Sequence, residues 1–335
     1  MRRNAGRQDG TRAILFAVTM IVAAGCAASE PPNTAGADAL RRACVAGRFY
    51  PAPREDLQRT VRALLDATPT PALTGRIIAA LAPHAGYTFS APVAAVTFKA
   101  LGPLSADTVV IIGHDTHHPN AVAFLSPADY FETPLGKVPT DRAMMDAMTS
   151  FHRGIVYAAP VHSGEHTIEV QLPFLQVMNK SCRIVPILFG NPTLENCRIL
   201  ADAIHAARAD KRVIVLASTD LSHYPPYKDA VAIDQATLKT VAALDPKALL
   251  DSLRKQETRG TIPKLKTAMC ARGGVGTAMF FAQDEGADHA RILKYANSGD
   301  VPAGNKSGVV GYGSVVFIKR PAVPPAPFAR PDVKL

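Results

Sequence analysis

The stretch "IIGHDTHHP", Ile111 to Pro119, sets three histidines and an aspartate within five positions of a chain that has ten histidines in all. His114, Asp115, His117 and His118 are groups that hold transition ions, and equally groups that decorate a solvated loop. Two further stretches carry related chemistry: "PHAGYTFS" contains His84, and "TDLSHY" contains Asp220 and His223. An imidazole such as His223 exchanges a proton near neutral pH and suits general acid–base work. Asp220 reads two ways, as a pocket carboxylate or as a cap for the segment after it. A fourth stretch, "GEHTIEVQLPF", holds His166 between Glu165 and Glu169. On a helix His166 and Glu169, three apart, share a face, while Glu165 and Glu169, four apart, repel unless something binds one of them. His166 is expected to point toward a pocket, with Ile168, Leu172 and Leu175 facing the core.

Something must bring residues about 140 positions apart together. Short β-branched apolar runs alternate with longer helical patterns along the chain, the signature of an α/β sheet with helices on its faces. Strands are expected at Arg76–Ala82, Thr108–Gly113, Arg183–Phe189, Arg212–Ser218 and Gly308–Ile318. Helical patterns cover Arg54–Ala67, Ala91–Leu101, Asp141–Ser150, Ile168–Asn179, Leu194–Arg208, Tyr227–Ala243, Asp245–Lys255 and Val275–Gly286. Three of the strands empty directly into the stretches that carry His84, His114 and His223. Carboxyl ends of parallel strands form one edge of such a sheet, and ligands bind in the crevice there, so these histidines are expected to converge. "GGVG", Gly273 to Gly276, could cradle an anion at a helix N-terminus but lacks the lysine of a phosphate loop.

With 335 residues, 47% hydrophobic and 19% charged, the chain can bury a sizeable core. Its formal net charge of +9 includes Arg2, Arg3, Arg7 and Arg12 against Asp9 alone in the first 25 residues. The remainder has no basic run interleaved with aromatics, so nucleic acid is not an expected partner. The Arg-rich start, the apolar stretch Ala13 to Ala24 and the small residues after it read as a targeting segment, too short to span a bilayer. "VAAGC" resembles a bacterial lipobox, with Ala23 where leucine is usual. The expectation is a signal peptide over 1–25, lipid attachment at Cys26, a flexible tether over 26–44, and an exported protein held at the membrane only through its lipid. No two cysteines form a CxxC, which argues against a structural zinc site, although Cys182 and Cys197 could pair in an oxidising compartment. Residues 320–335 form a proline-rich tail.

"GRFYPA", "APHAGYTFS", "GEHTIEVQLPFLQ", "STDLSHY", "CARGGVGTAM" and "YANSGDV…VVGYGSVVF" occur in the order and spacing of the Memo-like family, whose bacterial members are called AmmeMemoRadiSam system protein B. The resemblance spans about Val45 to Ile318 and sets a domain at 45–319. It implies a three-layer α/β/α sandwich with a mostly parallel or mixed central sheet, similar to class III extradiol dioxygenases. It also implies a metal pocket whose ligands fall on His84, on a histidine of the next loop and on Cys270. The family's loop histidine aligns with Thr116, so His117, one residue on, is the favoured ligand, with His114 and His118 as the alternatives. Two imidazoles and a thiolate suit iron or copper better than magnesium or calcium, and also admit zinc. Asp220, His223 and His166 would line the pocket as catalytic groups. The implied function is a metal-dependent oxidase or dioxygenase-like activity on a small molecule; the alternative is a non-catalytic protein that holds a metal or a peptide in the same cleft.

Overall fold

Apolar runs with both faces buried make the centre of the molecule, and the helices between them cover those faces. The computed structural model describes residues 39–321 apart from 103–105, 116 and 180. The expected signal peptide, Cys26, most of the tether and nearly all of the proline-rich tail lie outside the described residues. Along the chain run β1 (Leu40–Arg41), α1 (Arg54–Ala67), β2 (Arg76–Ala82), α2 (Tyr87–Leu101), β3 (Thr108–His114), β4 (Ala123–Leu125), β5 (Tyr130–Thr133), β6 (Gly136–Pro139), α3 (Arg142–Phe151), β7 (Ile155–Tyr157) and α4 (Ala159–His162). Then follow α5 (Leu172–Met178), β8 (Arg183–Phe189), α6 (Leu194–Ala207), β9 (Val213–Ser218), α7 (Tyr227–Ala242), α8 (Pro246–Thr258), α9 (Arg272–Asp284), β10 (His289–Asn297) and β11 (Gly311–Lys319).

Eight strands form one sheet in the order β10-β11-β2-β9-β3-β8-β4-β7, and β1-β5-β6 form a small second sheet. The four central strands β2, β9, β3 and β8 are parallel, while β11 on one side and β4 on the other join them antiparallel. Alternation of side chains sorts the core into two layers. Val110, Ile112, Val185, Ile187, Val215 and Phe317 face one cluster, with residues of α3, α6, α7, α8 and α9. Val109, Ile111, Ile184, Leu216 and Val316 face the other, with residues of α1, α2 and α5. The result is the expected three-layer α/β/α arrangement around a mixed sheet whose centre is parallel. No helix among the described residues is long and apolar enough to cross a membrane.

Several elements differ from expectation for identifiable reasons. The helix expected at Ala91 begins at Tyr87, directly after the His84 turn, because Gly86 leads straight into it. The helix expected from Ile168 starts as a 3-10 turn, Glu169–Gln171, before α5 takes over. β10, "HARILKYAN", is an edge strand with a mixed burial pattern and gives little periodic signal. Cys182 and Cys197 do not pair: both thiols are free, Cys182 in the layer under α1, α2 and α5 and Cys197 in the opposite layer, with the sheet between them.

Candidate metal centre

Parallel pairing places three strand ends side by side. Ala82 at the end of β2 is in register with Ser218 at the end of β9, and β9 also pairs with β3. Beyond β2 the chain turns through Pro83 and His84, whose backbone N–H donates to Asp220 Oδ1 at 2.8 Å. Asp220 therefore caps the His84 turn across the crevice and not the segment that follows it in sequence. Cys270 arrives from the connection before α9 and is stitched to the end of β9. Its N–H donates to Asp220 O at 3.3 Å, while Cys270 Sγ accepts from the Asp220 N–H at 3.2 Å. The next residue, Ala271, donates its N–H to Thr219 Oγ1 at 3.2 Å.

These constraints gather one donor group. Ligand atoms of His84, His114 and Cys270 lie within 4.8 Å of one another, the only such group among the described residues. Cys270 Sγ stands 3.3 Å from His84 Nε2, close to the edge of a tetrahedron around an ion with bonds of about 2.0–2.3 Å. The His84 and His114 rings stack at 5.4 Å, and His166 meets His84 edge-on at 5.6 Å.

Ser218 decides which His84 nitrogen faces the sulfur. Its hydroxyl donates its one proton to Thr167 O at 2.5 Å. Its oxygen accepts from Gln171 Nε2 at 2.8 Å, and that amide also donates to Pro83 O at 3.0 Å. His84 Nδ1, 3.2 Å from the same hydroxyl, must then be the protonated nitrogen. Nε2 keeps its lone pair, directed at Cys270. A ligating histidine held from behind through its other ring nitrogen has this arrangement.

The environment favours neutral donors. Burial, followed by repulsion from His166 and His223, holds His84 well below the usual histidine range. Burial and then His84 push His114 down to about 3. Burial also lowers His166 and His223, against the opposing pull of Asp220. Burial, with Asp220 adding to it, pushes the Cys270 thiol up to about 12, and burial pushes Asp220 up to about 6. A cation would replace the thiol proton and reverse that preference, since metal ligation deprotonates a thiol. Three buried ring nitrogens have no hydrogen-bond partner among the described residues: His114 Nδ1 and His223 Nε2 here, and His162 Nδ1 elsewhere. The group opens on a cleft of about 560 Å³ lined by His114, Phe189, His223, Lys266, Cys270 and Arg272 among others.

The loop contributes His114 to this group in place of the expected His117. β3 runs one residue further than expected and pairs His114 with Phe189 of β8. Residue 114 therefore continues the pleat of Val110 and Ile112, on the face that α9 covers. Beyond it the chain turns outward. Asp115 accepts the N–H groups of His117 and His118 at 3.1 and 2.8 Å, and both histidines are exposed.

The expectation that His166 and Glu169 share a helical face is also replaced, because the helix starts too late to hold both. His166 packs on His84 and Phe49. Glu169 points the other way and accepts from Cys44 N at 2.8 Å, Val45 N at 3.0 Å and Tyr50 OH at 2.5 Å. Buried Arg41 pairs with Glu169 and stands 3.6 Å from Glu165, which resolves the repulsion between the two glutamates. The glycines of "GGVG" permit close packing: a Cβ on Gly273 would lie 2.4 Å from the Phe189 ring, and one on Gly276 2.9 Å from Cys197 Sγ. Sequence reasoning missed Ser218, Thr167 and Gln171, which position His84, and gave no role to Arg41. None belongs to a residue type that announces a site.

An α/β/α sandwich with a His-His-Cys group at the carboxyl edge of its parallel strands is the class of protein these observations define. Residues 41–316 match the sequence profile of Memo-like proteins. The chain is 35% identical over 290 residues to a MEMO1 family protein of Ignicoccus hospitalis, covering 83% of this chain and 98% of that one. It is also 35% identical over 289 residues to one of Methanopyrus kandleri, with the same coverage. Among solved structures, an uncharacterized protein of Escherichia coli K12 is similar at a TM-score of 0.47 and 12% identity, covering 72% of this chain and 100% of that chain. The chain belongs to the Memo-like family.

Proposed function

We propose that this protein binds a transition ion, iron or copper, through His84, His114 and Cys270 and uses it in an oxidase or dioxygenase-like reaction on a small molecule in the adjoining cleft. One observation carries the reading: three donors of the right type lie within 4.8 Å, with His84 held by Ser218 in the tautomer that offers Nε2. The unpartnered buried His114 Nδ1 supports the fit. Two imidazoles and a thiolate are borderline to soft donors, which magnesium and calcium avoid. The ion, when bound, would supply electron exchange and polarise an oxygen of the ligand beside it.

The chain's own groups have distinct parts. His223 lines the cleft with a buried, unpartnered Nε2 and is placed to give or take a proton from a ligand there. Asp220 orients the His84 turn through the backbone, and its Oδ2 lies 3.9 Å from His84 Nε2. His166 packs edge-on against His84 in the wall of the site. The Arg-rich start and "VAAGC" support an exported protein attached to the membrane through Cys26.

Metal analysis of purified protein together with an oxygen electrode tests this reading. The parent is expected to carry iron or copper and to consume oxygen with some member of a catechol and reductant panel, while His84→Ala and Cys270→Ser carry no metal. Bound metal with no oxygen consumption across the panel would replace the redox reading with a metal- or peptide-holding one.

A further inference from the structure

Two clefts meet at the donor group, and their linings differ in charge. The first, already described, includes Lys266 and Arg272 in its lining, Arg272 being paired with Glu257. The second, about 390 Å³, shares His114 and Asp115 with the first and is lined also by His117, His118, Glu165 and His166. No lysine or arginine lines it; it offers four imidazoles and two carboxylates. Behind Glu165, buried Arg41 offsets part of that charge, whereas Asp115 faces only the His117 and His118 backbone N–H groups and the His118 ring.

The His118 ring is built as a ligand would be. Its Nδ1 lies 2.8 Å from Asp115 Oδ2, a group that can only accept, so Nδ1 carries the proton and Nε2 keeps its lone pair. The pairing of a carboxylate with one ring nitrogen fixes the tautomer and makes the other nitrogen a better donor. The side chain is 52% exposed, and the neighbouring His117 is exposed as well. Neither joins the tight group of three, so they have the marks of a site that captures an ion and releases it.

We infer that the second cleft is the loading route of the metal: His117 and His118, backed by Asp115, capture a divalent cation at its mouth and pass it to His114. The first cleft, which Lys266 lines, then stays open for the substrate. This inference rests on the metal reading above. A field of one sign over a cleft raises association rates by about 10–1,000-fold and fades with salt.

Stopped-flow mixing of metal-free protein with Co(II), followed by the absorption of the Co–thiolate bond at Cys270, tests it with Cys270→Ser as the blank. The His117→Ala/His118→Ala double variant is expected to reach the parent's final affinity within about twofold while loading at least ~10-fold more slowly. Both rates should fall with ionic strength, because Asp115 and Glu165 remain in the variant. An unchanged loading rate in the double variant would overturn the inference and leave the metal reading intact. A large loss of final affinity would overturn it too, by making these histidines resting ligands. Absence of the thiolate band in the parent would instead sink the metal reading beneath it.

Discussion

The hydroxyl of Ser218 has one proton, and Thr167 O takes it. Everything else that approaches the oxygen must donate, which is why a residue type common on any surface here settles the protonation of a histidine. Ser218→Ala removes the acceptor for His84 Nδ1 and frees the ring to swap tautomers. It is expected to weaken metal binding by ~10–100-fold while leaving the fold intact, as for other groups that hold a ligand from behind. Titration of the metal-free variant with Co(II) measures this, and parent-like affinity would show that packing alone orients the ring. Arg41 works one step further out, since Glu165 accepts from Thr167 Oγ1 at 2.9 Å and the N–H of Ile168 at 3.0 Å in the same turn.

At the scale of elements, α9 lies against the sheet through glycines. Gly273→Ala would drive a methyl to within 2.4 Å of the Phe189 ring, and overpacking of this kind costs about 1–3 kcal/mol. Urea unfolding should register that loss, together with weaker metal binding, because the same helix start carries Cys270. The strands of this edge were legible because a buried strand needs apolar residues on both faces, and β2 and β8 fall where their composition puts them. β4 and β7, three residues each, are too short to carry a period. The place of His114 in the donor group was hidden for a related reason: ending the strand at Gly113 concealed that residue 114 still obeys its alternation. His84, His223 and Cys270 were singled out from motif and position, whereas the hydrogen bonds around His84 and Cys270 depend on pairings between β2 and β9 that no local stretch records.

For the whole molecule, buried neutral imidazoles set the acid limit. Burial is the leading cause that lowers His84, His114, His162, His166 and His223. Each binds its proton less readily in the fold than in the unfolded chain, which gains one below about pH 6.5. The unfolded state then binds more protons, so stability falls as pH drops below that value, by at most about 1.4 kcal/mol per pH unit for each group. Asp220 and Asp234, both pushed up to about 6 by burial, oppose this in part as pH falls through about 6, being two groups against five. Metal-free protein should therefore unfold at lower urea at pH 6 than at pH 7.5, and equal or higher resistance at pH 6 would contradict this balance. Localisation belongs to the same scale: Cys26→Ser is expected to move the protein from the membrane to the soluble exported fraction, and intact, unprocessed chain in the cytoplasm would refute export.

The central claim is that His84, His114 and Cys270 together hold one ion, with the loop's share falling on His114. Equilibrium binding of Co(II) to parent, His114→Ala and His117→Ala protein tests it most directly. The account predicts one tightly bound ion per chain in the parent and in His117→Ala. His114→Ala should lose far more than the ~10–100-fold expected of a residue behind a ligand. Tight binding retained by His114→Ala but lost by His117→Ala would contradict it.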